Sequence, residues 1–453
     1  MYKKGPKADP NNYRPISVIS AVAKIFEKIV FNQVYEYFND NKILTNSQSG
    51  FRSLHSTVTA LLEATNSWSM NIDKGLINGV IFIDLKKAFD TIDHNIALLK
   101  LAKYGLNRNA LDWFQSYLEN RIQKCNVNGH ISSSGLLKCG VPQGSIIGPL
   151  LFLIYINDLP NCLELGIPRM YADDTSISVT ASNHSDLEAK TNAELERVNA
   201  WLITNKLSLN IAKTEFMTIG SRQKLLTQNG NPINTHIDGR AIQKVHHTKS
   251  LGVYIDENLS WNQHIMEISK KISSGIGALK RIRQLVNIDT AEKIYKALIE
   301  PHFDYCSLVW DGLGVKLADK LQKLQNRAAR AVSTLSYDIS SNTILDMLGW
   351  DRLQLRRSKQ KAKMMLKVSN ELVPCYVNEI FVKRNAHYKT RNSENNLDLP
   401  KPRTNYMKRA FGYSGALLWN NLPSEMRQTK HLSTFSKGIQ MYFSNTDSHT
   451  ANM

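Results

Sequence analysis

The chain has 453 residues, 42% of them hydrophobic, and carries 57 Lys and Arg against 39 Asp and Glu, for a net charge of +18. That is enough apolar material for large cores spread over a few domains. No apolar run reaches the roughly 20 residues needed to cross a bilayer, and the opening MYKKGPKADP has no signal-peptide core. The five cysteines, Cys125, Cys139, Cys162, Cys306 and Cys375, are scattered with no C-x-x-C pair, which argues against a zinc site and against a secreted disulfide framework.

DPNNYRP (Asp9 to Pro15) is turn-rich and cannot be helical throughout. Apolar positions then recur at helical spacing through Ser20 to Phe38, and again in a stretch that starts at Ser56. NGVIFIDL (Asn78 to Leu85) is a short β-branched run, the pattern of a buried strand, and it ends in Asp84. A helix closed by Gly105 follows. Gly140 to Pro160 opens as a Gly/Pro loop and becomes an apolar helix. In YADDTSISVT, Ile177 and Val179 alternate with Ser176, Ser178 and Thr180, so this is a strand, and the pair Asp173–Asp174 sits at a turn before it. A helix (DLEAKTNAELERVNAWLITN) and a strand (TEFMTIG) come next, and from about Trp261 the chain reads as helical. Within it, Leu317, Leu321, Leu324, Ala328 and Ala331 form an apolar stripe beside a basic one of Lys316, Lys320, Lys323, Arg327 and Arg330. The basic stripe reads equally as a solvated face or a phosphate-tracking face.

The positive charge is uneven: Asp351 to Ala410 alone holds 15 Lys and Arg against 5 Asp and Glu. Such a balance points to a polyanionic partner, most simply nucleic acid, rather than to a membrane surface, because the stretch is not one amphipathic helix.

Adjacent carboxylates repel and are costly to desolvate. If the strands carrying Asp84 and Asp173–Asp174 share a sheet, three carboxylates can meet at one edge. Clustered hard oxygens suit Mg²⁺, which would remove the repulsion. Two such ions can stabilise both oxygens of an in-line phosphoryl displacement. The competing readings are a plain acidic turn at Asp173–Asp174 and surface or helix-capping roles for Asp90 and Asp93; DLKKAFDTID lacks the order and central glycine of a calcium loop.

The ordered series FIDLKKAFDTIDH, GVPQGSIIGPLLFLIYINDL, YADDT, LNIAKTEFM and KSLGVYID, with NNYRPISVIS and QSGFRSLHST upstream, resembles the reverse transcriptases of non-LTR (LINE-type) retrotransposons, especially jockey-like elements. The resemblance covers nearly the whole chain. It implies an α/β (α+β) right-hand polymerase: fingers at 1–75, a ferredoxin-like palm at 76–256, a helical thumb-like region at 257–350 and a basic C-terminal region at 351–453. It also implies an N-terminal endonuclease that is not seen here, so the chain reads as a truncated copy that starts inside the fingers.

By the same resemblance, Asp84 and Asp173 are metal ligands, Asp174 supports them, and the Leu85 carbonyl is a further ligand for two Mg²⁺ ions, with Mn²⁺ as the alternative. Lys213 would protonate or stabilise the pyrophosphate. Phe89 would be a steric gate against a 2′-hydroxyl, although on its own it reads as a core aromatic. Gln143 and Gly144 would approach the templating pair, and Arg52 would grip the triphosphate, with Arg14 and Lys3 or Lys4 on the same wall. Leu251 to Val253 would hold the primer end. The implied partners are an RNA template, a DNA primer or target, and dNTPs, with no membrane. Target-primed synthesis would take place in the nucleus, though the sequence carries no address of its own. The rival readings are a non-catalytic nucleic-acid-binding remnant and an RNA-dependent RNA polymerase; Phe89 speaks against the latter.

Overall fold

A computed structural model of the chain describes residues 1–2, 5–9, 12–226, 233–336, 338–384 and 395–450, with side chains up to 443. The first helix, α1 (Ala21–Asp40), starts where the Ser20 side chain accepts a bond from the Ala23 N–H. α2 (Thr57–Asp73) starts at a reciprocal capping box between Ser56 and Thr59, so both starts follow from hydroxyl residues satisfying orphan N–H groups. β1 (Ile77–Ile83) follows, then α3 (His94–Lys103), α4 (Arg108–Leu118) and α5 (Ile147–Ile156). Asp93 is the N-cap of α3, accepting from the Ile96 N–H at 3.1 Å. α5 is apolar on every side and buried along almost its whole length, as an all-round hydrophobic helix must be.

The strands β2 (Ile167–Tyr171) and β3 (Asp174–Ala181) form a hairpin, followed by α6 (His184–Thr204), β4 (Glu215–Ile219) and the short β5 (Gln243–Lys244). Their sheet order is β5-β4-β1-β3-β2, with every pairing antiparallel except β5 with β4. The order β4-β1-β3-β2, with helices between β1 and β2 and between β3 and β4, is the ferredoxin-like arrangement. It places β1 at the centre and the end of β1 beside the β2–β3 turn.

The two faces of the sheet bury different cores because side chains alternate along each strand. Ile77, Ile81, Ile83, Ile177, Val179 and Phe216 pack against α1, α5 and α6. Gly79 sits where α6 comes close: a Cβ there would press on Leu187 and Phe216 at 3.0 Å. On the other face Val80, Met217 and Ile219 join Leu61, Leu62 and Trp68 of α2. Ser178 on this face accepts bonds from the Trp68 indole N–H and from Arg169, each at 2.9 Å.

Beyond the sheet, β6 (His247–Ser250) and β7 (Val253–Asp256) make a hairpin whose turn residues Leu251 and Gly252 both have positive φ (44° and 84°). The helices α7 (Asn262–Ile282), α8 (Ile288–Leu298), α9 (Val315–Ser333), α10 (Leu353–Ser369) and α11 (Phe411–Asn421) extend the α2-side core. On α9 the apolar stripe is buried at Leu321, Leu324, Ala328 and Ala331, while Lys316, Lys320, Lys323 and Arg327 face solvent. Much of the positive charge at the start of the basic stretch is internally matched. Arg356 pairs with Glu300 and Asp304, Arg357 and Lys361 with Asp311, and Lys359 with Asp351. The C-terminal segment also folds back on α2: the Gly412 N–H donates to Asn66 at 2.9 Å and the Thr404 N–H to Asp73 at 2.6 Å.

Candidate active site

Asp84 is the first residue after β1, and its place follows from the register. Ile83 pairs with Thr175 on one side and Phe82 with Glu215 on the other. Continuing both ladders sets Asp84 opposite Asp174 on β3 and opposite Lys213 just before β4. Lys213 Nζ lies 3.8 Å from Asp84 Oδ2. Asn210, absent from the residues the sequence pattern points to, holds Asp84 twice: its side-chain Nδ2 donates to Asp84 Oδ2 and its backbone N–H to the Asp84 carbonyl, both at 2.8 Å. An amide three residues before Lys213 in LNIAKTEFM was the available signal.

Asp173 sits with Ala172 on a two-residue turn between β2 and β3, and Asp174 begins β3, paired with Tyr171 across the turn. Ala172 adopts φ +56°, a left-handed conformation that costs a non-glycine residue about 1–2 kcal/mol. The segment before α2 holds it there. Gln48, 1% exposed, accepts the Ala172 N–H at 2.9 Å and the Gly50 N–H at 2.7 Å through Oε1, and its Nε2 reaches the Ala172 carbonyl at 3.5 Å. Hydrogen bonds worth about 0.5–1.5 kcal/mol each are of the size needed to offset the strain. Gly50 has to be glycine, because a Cβ there would overlap the Ala172 nitrogen.

Asp174 is exposed and Asp173 half-buried. The Asp174 carboxyl is nonetheless pushed above the usual carboxylate range, first by the surrounding protein, then by the charges of Asp173 and Asp84. A cavity of about 350 Å³ opens beside it, lined by Asp84, Asp174 and Lys213 together with Leu61, Trp68 and Leu251. Tyr305 fixes the Leu251 carbonyl by a 2.7 Å hydroxyl bond.

Phe89 and Gln143 are brought together on a neighbouring segment. The Val141 N–H donates to the Phe89 carbonyl at 2.9 Å, and Gln143 Nε2 donates to Asp90 Oδ1 at 2.8 Å. The Phe89 ring packs 4.6 Å from that of Phe152. Gly144 has φ +121°, and a Cβ there would come 3.1 Å from the Ser17 carbonyl. Two arginines stand elsewhere. Arg52 spends Nη1 on the carbonyls of Thr45 (2.7 Å) and Gln48 (3.2 Å) and lines a separate pocket with Phe38, Lys42 and Asn46. Arg14 has an exposed side chain and pairs through its backbone with Met1. Lys3 and Lys4 lie outside the described residues.

The donor chemistry at the sheet edge fits a hard divalent cation: carboxylate oxygens, no sulfur, and a mutual repulsion that raises Asp174 and that positive charge would relieve. Among the described residues no three of these groups stand close enough to form a closed cage by themselves, so further oxygens would have to come from water or substrate.

Residues 3–255 match the family described as reverse transcriptase (RNA-dependent DNA polymerase). Among curated proteins, the chain is 26% identical to the probable RNA-directed DNA polymerase from transposon BS of Drosophila melanogaster, over 76% of this chain and 39% of that protein. It is 24% identical to the corresponding protein of the X-element from the same organism, over 79% and 41%. It is 25% identical to the RNA-directed DNA polymerase from mobile element jockey of Drosophila funebris, over 72% and 36%. The chain thus matches about two fifths of the length of these relatives. Among solved structures, apo telomerase from Candida tropicalis overlaps 78% of this chain and 55% of its own, with 13% identity and a TM-score of 0.39.

Proposed function

Because this chain belongs to the reverse transcriptase (RNA-dependent DNA polymerase) family, we propose that it joins deoxynucleotides to a primer 3′-hydroxyl against an RNA template, as the polymerase of a non-LTR retrotransposon. The observation that carries this reading is the register that sets Asp84 between Asp174 and Lys213 at one sheet edge, beside a clamped acidic turn. In this reading Asp84 and Asp173 hold Mg²⁺, for which Mn²⁺ is the alternative, as a pair of ions, with Asp174 adding negative charge at the same edge. When bound, the metal supplies positive charge to the attacking 3′-oxygen, the α-phosphate and the departing pyrophosphate. Lys213 gives a proton to the pyrophosphate as the bond from the α-phosphorus breaks. Phe89, fixed against Phe152, excludes a 2′-hydroxyl; Gln143, fixed by Asp90, and Gly144 face the templating pair. Arg52 and Arg14 are assigned to the triphosphate wall, with Arg52 acting through the nitrogens it does not spend on the Thr45 and Gln48 carbonyls.

On this assignment residues 1–75 act as fingers, 76–256 as palm, 257–350 as thumb and 351–453 as a C-terminal region, of which Thr404 and Gly412 bond to α2. Exposed Lys316, Lys320, Lys323 and Arg327 of α9 would follow the phosphate backbone of the primer–template. The test is primer extension by the purified chain on an RNA template annealed to a DNA primer, with dNTPs or rNTPs, in Mg²⁺, Mn²⁺ or EDTA. Extension that needs dNTPs and a divalent cation is expected. Salt-sensitive binding of the duplex with no incorporation in either metal would overturn the proposal in favour of a non-catalytic remnant.

A further inference from the structure

We propose that Gln48 is a positioning residue for the acidic turn, an inference that rests on the polymerase reading for its purpose. Asp173 and Asp174 follow Ala172 directly, so the φ of Ala172 sets where both carboxylates point. Ala172 is not a residue that holds a positive φ unaided. Gln48 binds both polar groups of its backbone, through Oε1 to the N–H and Nε2 to the carbonyl. An amide is the side chain that can serve both. A methionine would leave the buried N–H groups of Ala172 and Gly50 without an acceptor, and a glutamate would set another negative charge beside the pair.

Gln48 is itself anchored from three directions. The Met170 N–H donates to Ser47 and the Ser49 N–H to Met170, each at 2.8 Å, so this segment lies along the edge of β2 like an added strand. Arg52 Nη1 donates to the Gln48 carbonyl at 3.2 Å. The Ser49 hydroxyl meets the Tyr376 hydroxyl at 2.9 Å, and the latter lies 3.3 Å from Thr59 Oγ1, so the C-terminal region braces the same loop.

The test is a Tb³⁺ luminescence titration of the carboxylate site, sensitised by Tyr171, on the full chain. It reads the site whether or not the protein extends a primer. Wild-type protein that binds Tb³⁺ but extends nothing counts against the polymerase reading and leaves this one to be judged on its own. Gln48→Met is expected to raise the half-saturating Tb³⁺ concentration about tenfold, the usual effect of losing a group that orients a ligand. Adding Ala172→Gly, which adopts positive φ freely, should bring it back to within about threefold of wild type. A Gln48→Met protein that titrates like wild type, or a double variant as weak as the single one, would overturn the proposal. Should Gln48→Met not fold, recovery of folding on adding Ala172→Gly supports the clamp, and failure to recover shows a general core support instead.

Discussion

Asn210 donates its side-chain N–H to Asp84 Oδ2 and its backbone N–H to the Asp84 carbonyl, both at 2.8 Å. One residue thus fixes both the direction of the carboxylate and the end of the strand that carries it. Groups that orient a metal ligand typically contribute about 10–100-fold to affinity or activity. Asn210→Ala is therefore expected to lower kcat for primer extension by about that factor while primer–template affinity stays as in wild type. Asn210→Asp should be worse than Asn210→Ala, because it sets a like charge against Asp84. Steady-state extension beside a filter-binding titration checks both.

Phe89 makes a sugar-discrimination prediction. Its ring is held 4.6 Å from Phe152, so it cannot swing away without leaving a void. Phe89→Ala should raise rNTP incorporation relative to dNTP incorporation by about 10–200-fold, the range open to a steric pocket. Competition of each rNTP with its dNTP in one reaction reads the ratio directly. An unchanged ratio would return Phe89 to an ordinary core aromatic.

The raised Asp174 carboxyl ties stability to pH and metal together. Its native pKa lies above the ordinary 3.8, first because the surrounding protein displaces water from the carboxyl and then because of the charges of Asp173 and Asp84. The folded state therefore binds the proton more tightly than the unfolded one. Metal-free stability should fall as pH rises from about the ordinary aspartate range through the raised value, and stay reduced at neutral pH. Mg²⁺ should then raise the melting temperature at pH 7.5 more than at pH 4.5. Asp174→Asn should melt higher than wild type in EDTA and lose part of the Mg²⁺ increment. Equal increments at the two pH values would count against the electrostatic account.

His264, 2% exposed at the start of α7, has the opposite sign. It accepts the Tyr254 N–H at 3.4 Å, packs on Trp310, and its Nε2 has no hydrogen-bond partner among the described residues. Burial, with Lys271 adding to it, pushes the imidazole down to about 4 from 6.5. The folded state binds fewer protons than the unfolded one between these values. Stability is thus fully present above pH 6.5 and lost as pH falls toward 4, by up to about 3 kcal/mol. Denaturant midpoints followed by tryptophan fluorescence should fall over that window in wild type and much less in His264→Gln.

How much of this was legible depended on whether the cause was local. The β1 strand, and Asp84 directly after it, were readable because a β-branched run needs only itself to be recognised. The capping residues Ser20 and Ser56 fell at the starts of readable helical stretches for the same reason. The ladder that sets Asp84 opposite Asp174 joins segments about ninety residues apart, and no periodicity announces it. Gln48 stands in the quoted QSGFRSLHST, but its role was not legible there because it acts on the backbone of Ala172, 124 residues away. The charge excess of the stretch after Asp351 was legible as a sum. Composition cannot say, however, that Arg357 and Lys361 meet Asp311 rather than a phosphate. Arg52 reads as a free fork in QSGFRS, whereas its Nη1 is committed to the loop that carries Gln48.

If the carboxylates at the edge of this sheet hold the metal for nucleotide transfer, the rate of the first nucleotide addition depends on them. Single-turnover extension of a DNA primer on an RNA template reads that rate, with wild type and Asp173→Asn compared at saturating dNTP and Mg²⁺. Asp173→Asn is expected to slow the first addition by about a hundredfold or more while binding primer–template as tightly as wild type. First addition at the wild-type rate in Asp173→Asn would mean that these carboxylates do not hold the catalytic metal.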